Sequence, residues 1–232
     1  MSIVSIRARA LAIPFKQAFA HASASRSSGH SVWVEACDDV SHNGFGEGCP
    51  REYVTGETLE DSIAFVAQHQ RQWISAITDC SSLASWVDER RELIDRDPAA
   101  WSAVERALLD LFARTAGCSV EHVLGLPDLH GVFRYSAVLG DACKERCAVK
   151  LSRYVHAGFT DFKIKLNGGS ARGIGKIEAL RETGIASTAV RAGAHNLWSE
   201  ADQAIDYLSA LVFPFTALEE HLEPVTAPVW RA

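Results

Sequence analysis

The chain has 232 residues, 47% of them hydrophobic and 22% charged, a balance that suits a globular protein with a buried core,. Its formal net charge of -6 gives no basic surface for nucleic acid, and no apolar run is long enough to span a bilayer,. Its cysteines, Cys37, Cys49, Cys80, Cys118, Cys143 and Cys147, form no CxxC pair, so a reduced, cytoplasmic protein is expected, with neither nucleic acid nor membrane as partner,.

The first fifty residues read as strands. Ser2 to Ile13 is β-rich and alternating, as is Ser31 to Ala36,. Between them, Phe15 to His30 is rich in Ser, Ala and His and reads as a mobile loop,. Gly44-x-Gly46-x-Gly48 lacks both the GxGxxG spacing and the strand–loop–helix setting of a dinucleotide site, so it reads as a hairpin or turn,. The apolar period then changes. Glu57 to Ile77, Leu83 to Ile94 and Pro98 to Thr115 carry helical spacing, with Pro98 suited to a first turn and Gly117 to a stop,. Strands followed by helices imply an α+β unit.

Beyond residue 130 strands and helices alternate. Strands are expected at 133–139, 161–166, 187–192 and 215–219, with helices at 141–156, 171–183 and 200–211,. Strands spaced by roughly 27 residues, with helices between them, imply a parallel sheet, either doubly wound or part of a (β/α) barrel,.

Lys163 and Lys165 are the sharpest local feature. Residues two apart on a strand share a face, so Phe162, Ile164 and Leu166 turn to the helices while both lysines turn to the other side,. Neighbouring ammonium groups repel, and a desolvated lysine serves as a base, so proton transfer is the chemistry this pair suggests. By the same parity Arg191, Gly193 and His195 share one face of the third strand. Glu219 comes to the end of the fourth, where a carboxylate can ligate a hard cation,.

These segments together resemble the enolase superfamily, in its muconate-lactonizing/mandelate-racemase branch and close to dipeptide epimerases. The stretches that carry the resemblance are Gly44-Phe45-Gly46-Glu47-Gly48-Cys49-Pro50, Trp101-Ser102-Ala103-Val104-Glu105-Arg106-Ala107-Leu108-Leu109-Asp110-Leu111, His122-Val123-Leu124-Gly125, Phe162-Lys163-Ile164-Lys165-Leu166, Val190 to Trp198, and Leu218-Glu219-Glu220. The resemblance implies an α+β cap domain over residues 1–128. It implies an incomplete (β/α) TIM-type barrel of about four βα units over residues 129–232, C-terminally truncated with respect to roughly 250 residues for a whole barrel,. It implies an isomerase that removes a proton beside a carboxylate: an epimerase, racemase or cycloisomerase acting on a small-molecule carboxylate such as a dipeptide or N-acylamino acid. Mg²⁺ is its implied cofactor and a homo-oligomer its implied assembly.

Mapped onto this chain, Lys165 resembles the proton-abstracting base and Lys163 the lysine that tunes it and meets the substrate carboxylate. Glu219 resembles the second metal ligand. Phe19 and His21, with Arg51, Tyr53 and Thr55, resemble the substrate-selecting loops. The third-strand motif departs from the family's Arg-x-Asp-Ala-Asn: Gly193 stands where the first metal ligand is expected, and His195 where the Asn is. His221 falls where the family has proline. Activity is therefore expected to be impaired, with two alternatives. One is a non-catalytic remnant or binding module. The other is a remodelled zinc site built from His195, Glu219 and His221.

Overall fold

The computed structural model describes residues 2–21, 24–194 and 196–219, with backbone alone for residues 17, 19–21 and 24. The chain divides into two compact units, Met1–Phe15 with Ser28–Gly131, and Lys16–Ser27 with Val132–Ala232. No described helix is long and apolar enough to cross a membrane.

The first unit is built on a three-stranded sheet, β1 (Ile3–His21), β2 (Ala24–Asp38) and β3 (Asn43–Gly48), in that order. The segment expected as a mobile loop, Phe15 to His30, is therefore largely strand. Its small polar residues carry no apolar alternation, but hydrogen bonding between neighbouring strands does not require one,. In β2 the alternation is plain: Val32, Val34 and Ala36 are buried,. β2 pairs antiparallel with β3, Val34 opposite Gly46. Asp38 ties the turn between them. Its buried carboxylate accepts from the Val40 and His42 backbone N–H groups at 3.0 and 2.8 Å, and lies 2.8 Å from His42 Nδ1.

Helices follow the sheet: α1 (Glu52–Thr55), α2 (Leu59–Ala76), α3 (Cys80–Glu89), α4 (Arg91–Arg96), α5 (Pro98–Ala116) and α6 (Val120–Val123). The second expected helix is broken at Arg90, which leaves helical geometry (φ -124°, ψ 25°) between α3 and α4. α5 starts at Pro98 as expected and stops at Gly117, whose left-handed backbone (φ 66°) donates to the Ala113 and Arg114 carbonyls,. Its N-terminus receives a buried acid from far along the chain: Glu57 accepts from Ala99 N on both carboxylate oxygens and from Ala100 N, each at 3.0 Å,.

The glycine run, expected as a hairpin or turn, is the second strand of the β2–β3 hairpin rather than its turn. Its alternate residues lie under α5. A Cβ at Gly44, Gly46 or Gly48 would sit 2.2, 1.9 or 2.0 Å from the backbone carbonyl oxygens of Ala107, Ala103 and Ala99. Only a residue without a side chain lets a helix approach a strand this closely. Behind α5, Trp73, Trp86 and Trp101 form one aromatic cluster with ring centroids 4.5–6.1 Å apart.

The second unit is a parallel sheet, β4 (Ser136–Leu139), β5 (Asp161–Lys165), β6 (Val190–Gly193) and β7 (Ala217–Glu219), in chain order. Helices α7 (Lys144–His156), α8 (Ser170–Glu182) and α9 (Ala201–Leu211) link the strands. This is the strand–helix grammar of a (β/α) barrel, of which the described residues hold an incomplete set. β4 begins three residues later than expected, and β6 is shortened by a 3₁₀ turn at Ser187–Ala189. Phe162, Ile164, Leu166, Val190 and Ala192 are buried beneath the helices with Leu151, Ile177 and Leu180,.

Candidate active site

The helix-facing parity of β5 fixes the other face. With Phe162 and Ile164 under the helices, Lys163 and Lys165 turn to the side that a barrel encloses,. Lys165, the last residue of β5, is 8% exposed and pairs in register with Gly193, the last residue of β6. Gly193 pairs in turn with Glu219, the last residue of β7. The ladder runs one step further, through Leu166 N to Gly193 O at 2.9 Å and Ala194 N to Glu219 O at 3.0 Å. These positions therefore line the C-terminal rim, where (β/α) barrels carry their chemistry.

Lys163 reaches across β6 and forms an ion pair with Glu219 Oε2. Its path passes over Gly193, where a Cβ would lie 3.1 Å from Lys163 Cε and 3.2 Å from Lys165 Nζ. Arg191, opposite Lys163 on β6, donates to Ser136 Oγ at 2.5 Å and holds Nη1 3.8 Å from Glu219 Oε1. The Lys163 hydrogen bond holds the Glu219 carboxyl below its ordinary value. Burial pushes the other way and is outweighed, with the charges of Lys163, Arg191 and Lys165 adding to the depression,.

A second network lies beneath the lysines. Lys176 of α8 is 1% exposed and donates to the backbone carbonyl of Lys165 at 2.5 Å and to Asp141 Oδ1 at 3.2 Å. Asp141, just past β4, also accepts from Asn167 at 2.9 Å and Arg172 at 2.7 Å. Burial alone would raise the Asp141 carboxyl; the Lys176 charge and hydrogen bond, with Asn167 and Arg172, hold it below its ordinary value,. Sequence reading missed this pair. The signal was present: Lys176 falls on the buried stripe Gly173, Lys176, Ile177, Leu180, where an unpaired charge cannot sit,.

The other expected site residues fall elsewhere. Arg51, Tyr53 and Thr55 lie in the first unit. There the expected loop is the one-turn helix α1, preceded by Arg51, which donates to the His30 and Pro50 carbonyls at 2.8 and 2.6 Å. The side chains of Phe19 and His21, and all of His195 and His221, lie outside the described residues, and with them most of the zinc alternative.

Mg²⁺ asks for oxygen donors in near-octahedral array. On this rim the described residues offer one carboxylate, Glu219, with Lys163 bound to one oxygen and Arg191 beside the other. Gly193 offers no donor, and no group of three or more His, Cys, Asp or Glu gathers among the described residues. The donor set present does not fit the divalent cation that the resemblance implies.

No family model matches the chain. It is 27% identical over 235 residues to a hydrophobic dipeptide epimerase of Enterococcus faecalis, covering 100% of this chain and 62% of that one. It is 24% identical over 211 residues to an N-succinyl-L-Arg/Lys racemase of Bacillus cereus, covering 91% and 57%. The crystal structure of the Enterococcus faecalis dipeptide epimerase, complexed with Mg and the dipeptide L-Leu-L-Tyr, superposes with a TM-score of 0.79 at 25% identity, over 96% of this chain and 62% of that one. The chain thus spans about 60% of the length of these relatives. With a lysine pair and a carboxylate at adjoining strand ends, the chain resembles these epimerases and racemases both in sequence and in the order of its elements.

Proposed function

We propose that this chain carries the proton-abstracting face of an isomerase acting at the carbon next to a carboxylate, with a dipeptide or N-acylamino acid as substrate. The observation that carries the reading is the pair Lys163 and Lys165, set side by side at the end of β5 and facing Glu219 across a glycine. The names of the relatives, an epimerase of dipeptides and a racemase of N-succinylated amino acids, support the substrate class.

In the step proposed, the Lys165 amine takes the α-proton. The C–H electron pair moves onto the carboxylate as an enediolate, and the Lys163 ammonium and Arg191 guanidinium face the charge that develops on its oxygens. The proton returns to the same carbon. In this reading residues 1–128 serve as cap and residues 129–232 supply the chemistry. The described residues supply a base to one face of the carbon, so the partial reaction expected of them is exchange of the α-proton with solvent,.

The test is incubation of the 232-residue chain in D₂O with a panel of dipeptides and N-acylamino acids, following the α-proton by NMR. Exchange that disappears in Lys165→Ala is expected. No exchange across the panel, or exchange unchanged in Lys165→Ala, refutes it. The second reading, a non-catalytic binding module, is favoured by Gly193 and by the engagement of Glu219 with Lys163; it predicts no exchange in either protein.

A further inference from the structure

We propose that the rim around Gly193 binds a small organic carboxylate directly on its cationic side chains, without a divalent cation. The inference rests on the reading above that this face receives a carboxylate, and departs from the metal that the family resemblance implies.

Charge comes first. Lys163 and Arg191 are held on this face against a single described carboxylate, Glu219, so these described side chains carry a net positive charge. A divalent cation brought to Glu219 meets Lys163 already on Oε2 and Arg191 at 3.8 Å from Oε1, and like charges at such distances repel. An anion meets attraction from the same groups.

Donor count comes second. An ammonium offers three N–H groups and a guanidinium five. Lys163 is engaged by Glu219, and Arg191 by Ser136 Oγ at 2.5 Å. Both keep N–H groups for a second carboxylate. Lys165 Nζ stands beside them, 3.2 Å from the Cβ position of Gly193, and a lysine amine donates in either protonation state,. The Glu219 carboxylate, set between Lys163 and Arg191, already shows the arrangement in which such a group docks,.

Access comes third. The Arg191 and Glu219 side chains keep 43% and 34% exposure and Lys163 keeps 21%, so the cations are reachable while partly desolvated. A side chain at residue 193 would stand where the two lysines converge. An acidic one would take their N–H groups for itself, leaving the site ready for a cation instead.

The probe is N-acetyl-L-alanine, titrated into the 232-residue chain by NMR, first in EDTA and then in Mg²⁺. Saturable binding in EDTA is expected, changing by less than about twofold on adding Mg²⁺ and weakening about tenfold or more in Arg191→Gln and in Lys163→Met. Gly193→Asp is expected to weaken it by a similar factor, because its carboxylate competes for the same donors. Binding that requires Mg²⁺, binding in neither buffer, or equal affinity in Arg191→Gln and Lys163→Met overturns the proposal. Carboxylate binding without α-proton exchange supports it and refutes the catalytic reading. Exchange that appears only with Mg²⁺, with no binding in EDTA, refutes the proposal and leaves the catalytic reading standing.

Discussion

Gly46→Ala should be among the most damaging single-methyl additions in the first unit. The new Cβ would lie 1.9 Å from the Ala103 carbonyl oxygen and 2.7 Å from Ala107 N, both backbone atoms of α5. Neither can swing aside, so α5 must withdraw from β3 by about 1.5 Å to restore ordinary carbon–oxygen contact. Withdrawal opens a gap along the buried stripe of Ala100, Ala103, Val104, Ala107 and Leu111. A gap of 0.5–1 Å already forfeits roughly a quarter to a half of each dispersion contact. Overpacking costs about 1–3 kcal/mol, and rigid backbone on both sides puts this site at the upper end. Alanine also stiffens the unfolded chain, which offsets roughly 0.4–1 kcal/mol. A net loss of about 2 kcal/mol or more follows, a large share of a typical domain's roughly 5–15 kcal/mol. Urea unfolding followed by tryptophan fluorescence suits the question, since Trp73, Trp86 and Trp101 lie in the same core. An unfolding free energy lowered by less than about 0.5 kcal/mol would refute the reasoning, since surface-like substitutions fall in that range.

Glu57→Ala should cost about 2 kcal/mol, because it strands the Ala99 and Ala100 N–H groups and removes a negative charge from the start of α5; thermal unfolding measures it,. Asp38 is held down to about 2, below its ordinary 3.8, because the hydrogen bonds from His42, Val40 and Thr115 outweigh the opposing effect of burial. A depressed folded-state value means that Asp38 stabilises the fold fully above pH 3.8 and that this contribution is lost as pH falls through about 2,. Asp38→Asn should flatten the stability profile across that window, and an unchanged acid limb in urea midpoints measured from pH 5 to pH 2 would contradict it. Lys176→Met should destabilise by about 3 kcal/mol by leaving the Asp141 carboxylate without its buried partner, and Lys176→Met with Asp141→Leu should recover part of that loss, a coupling that a double-mutant cycle reads directly,.

What could be read in advance followed from periodicity. The alternation of Phe162, Ile164 and Leu166 with Lys163 and Lys165 predicted which face each side chain takes, because period two allows no other arrangement once one face is buried,. α5 was legible from its punctuation, Pro98 and Gly117. Segments without a period misled: residues 15–21 and 24–30 belong to β1 and β2, although their composition looks like loop. The glycine run was visible, but its purpose was not, since the helix that needs those glycines lies more than fifty residues further on. A separation of 43 residues likewise hid Glu57 from Ala100 at the start of α5. The engagement of Glu219 by Lys163 was beyond sequence reasoning because it depends on the register of β5, β6 and β7 together.

That register has an evolutionary consequence. Parallel strands lie about 4.8 Å apart, so β5 and β7 are separated by roughly twice that, and a lysine joins them only by crossing the strand between. Lys163 makes the crossing over residue 193, with its Cε 3.1 Å from where a Cβ would begin. A side chain at residue 193 would press on the Lys163 and Lys165 side chains, so the effect of a change there depends on which residues stand at 163, 165 and 219. Substitutions at these four positions should be strongly epistatic, and ancestral states tried one at a time will understate what they do together.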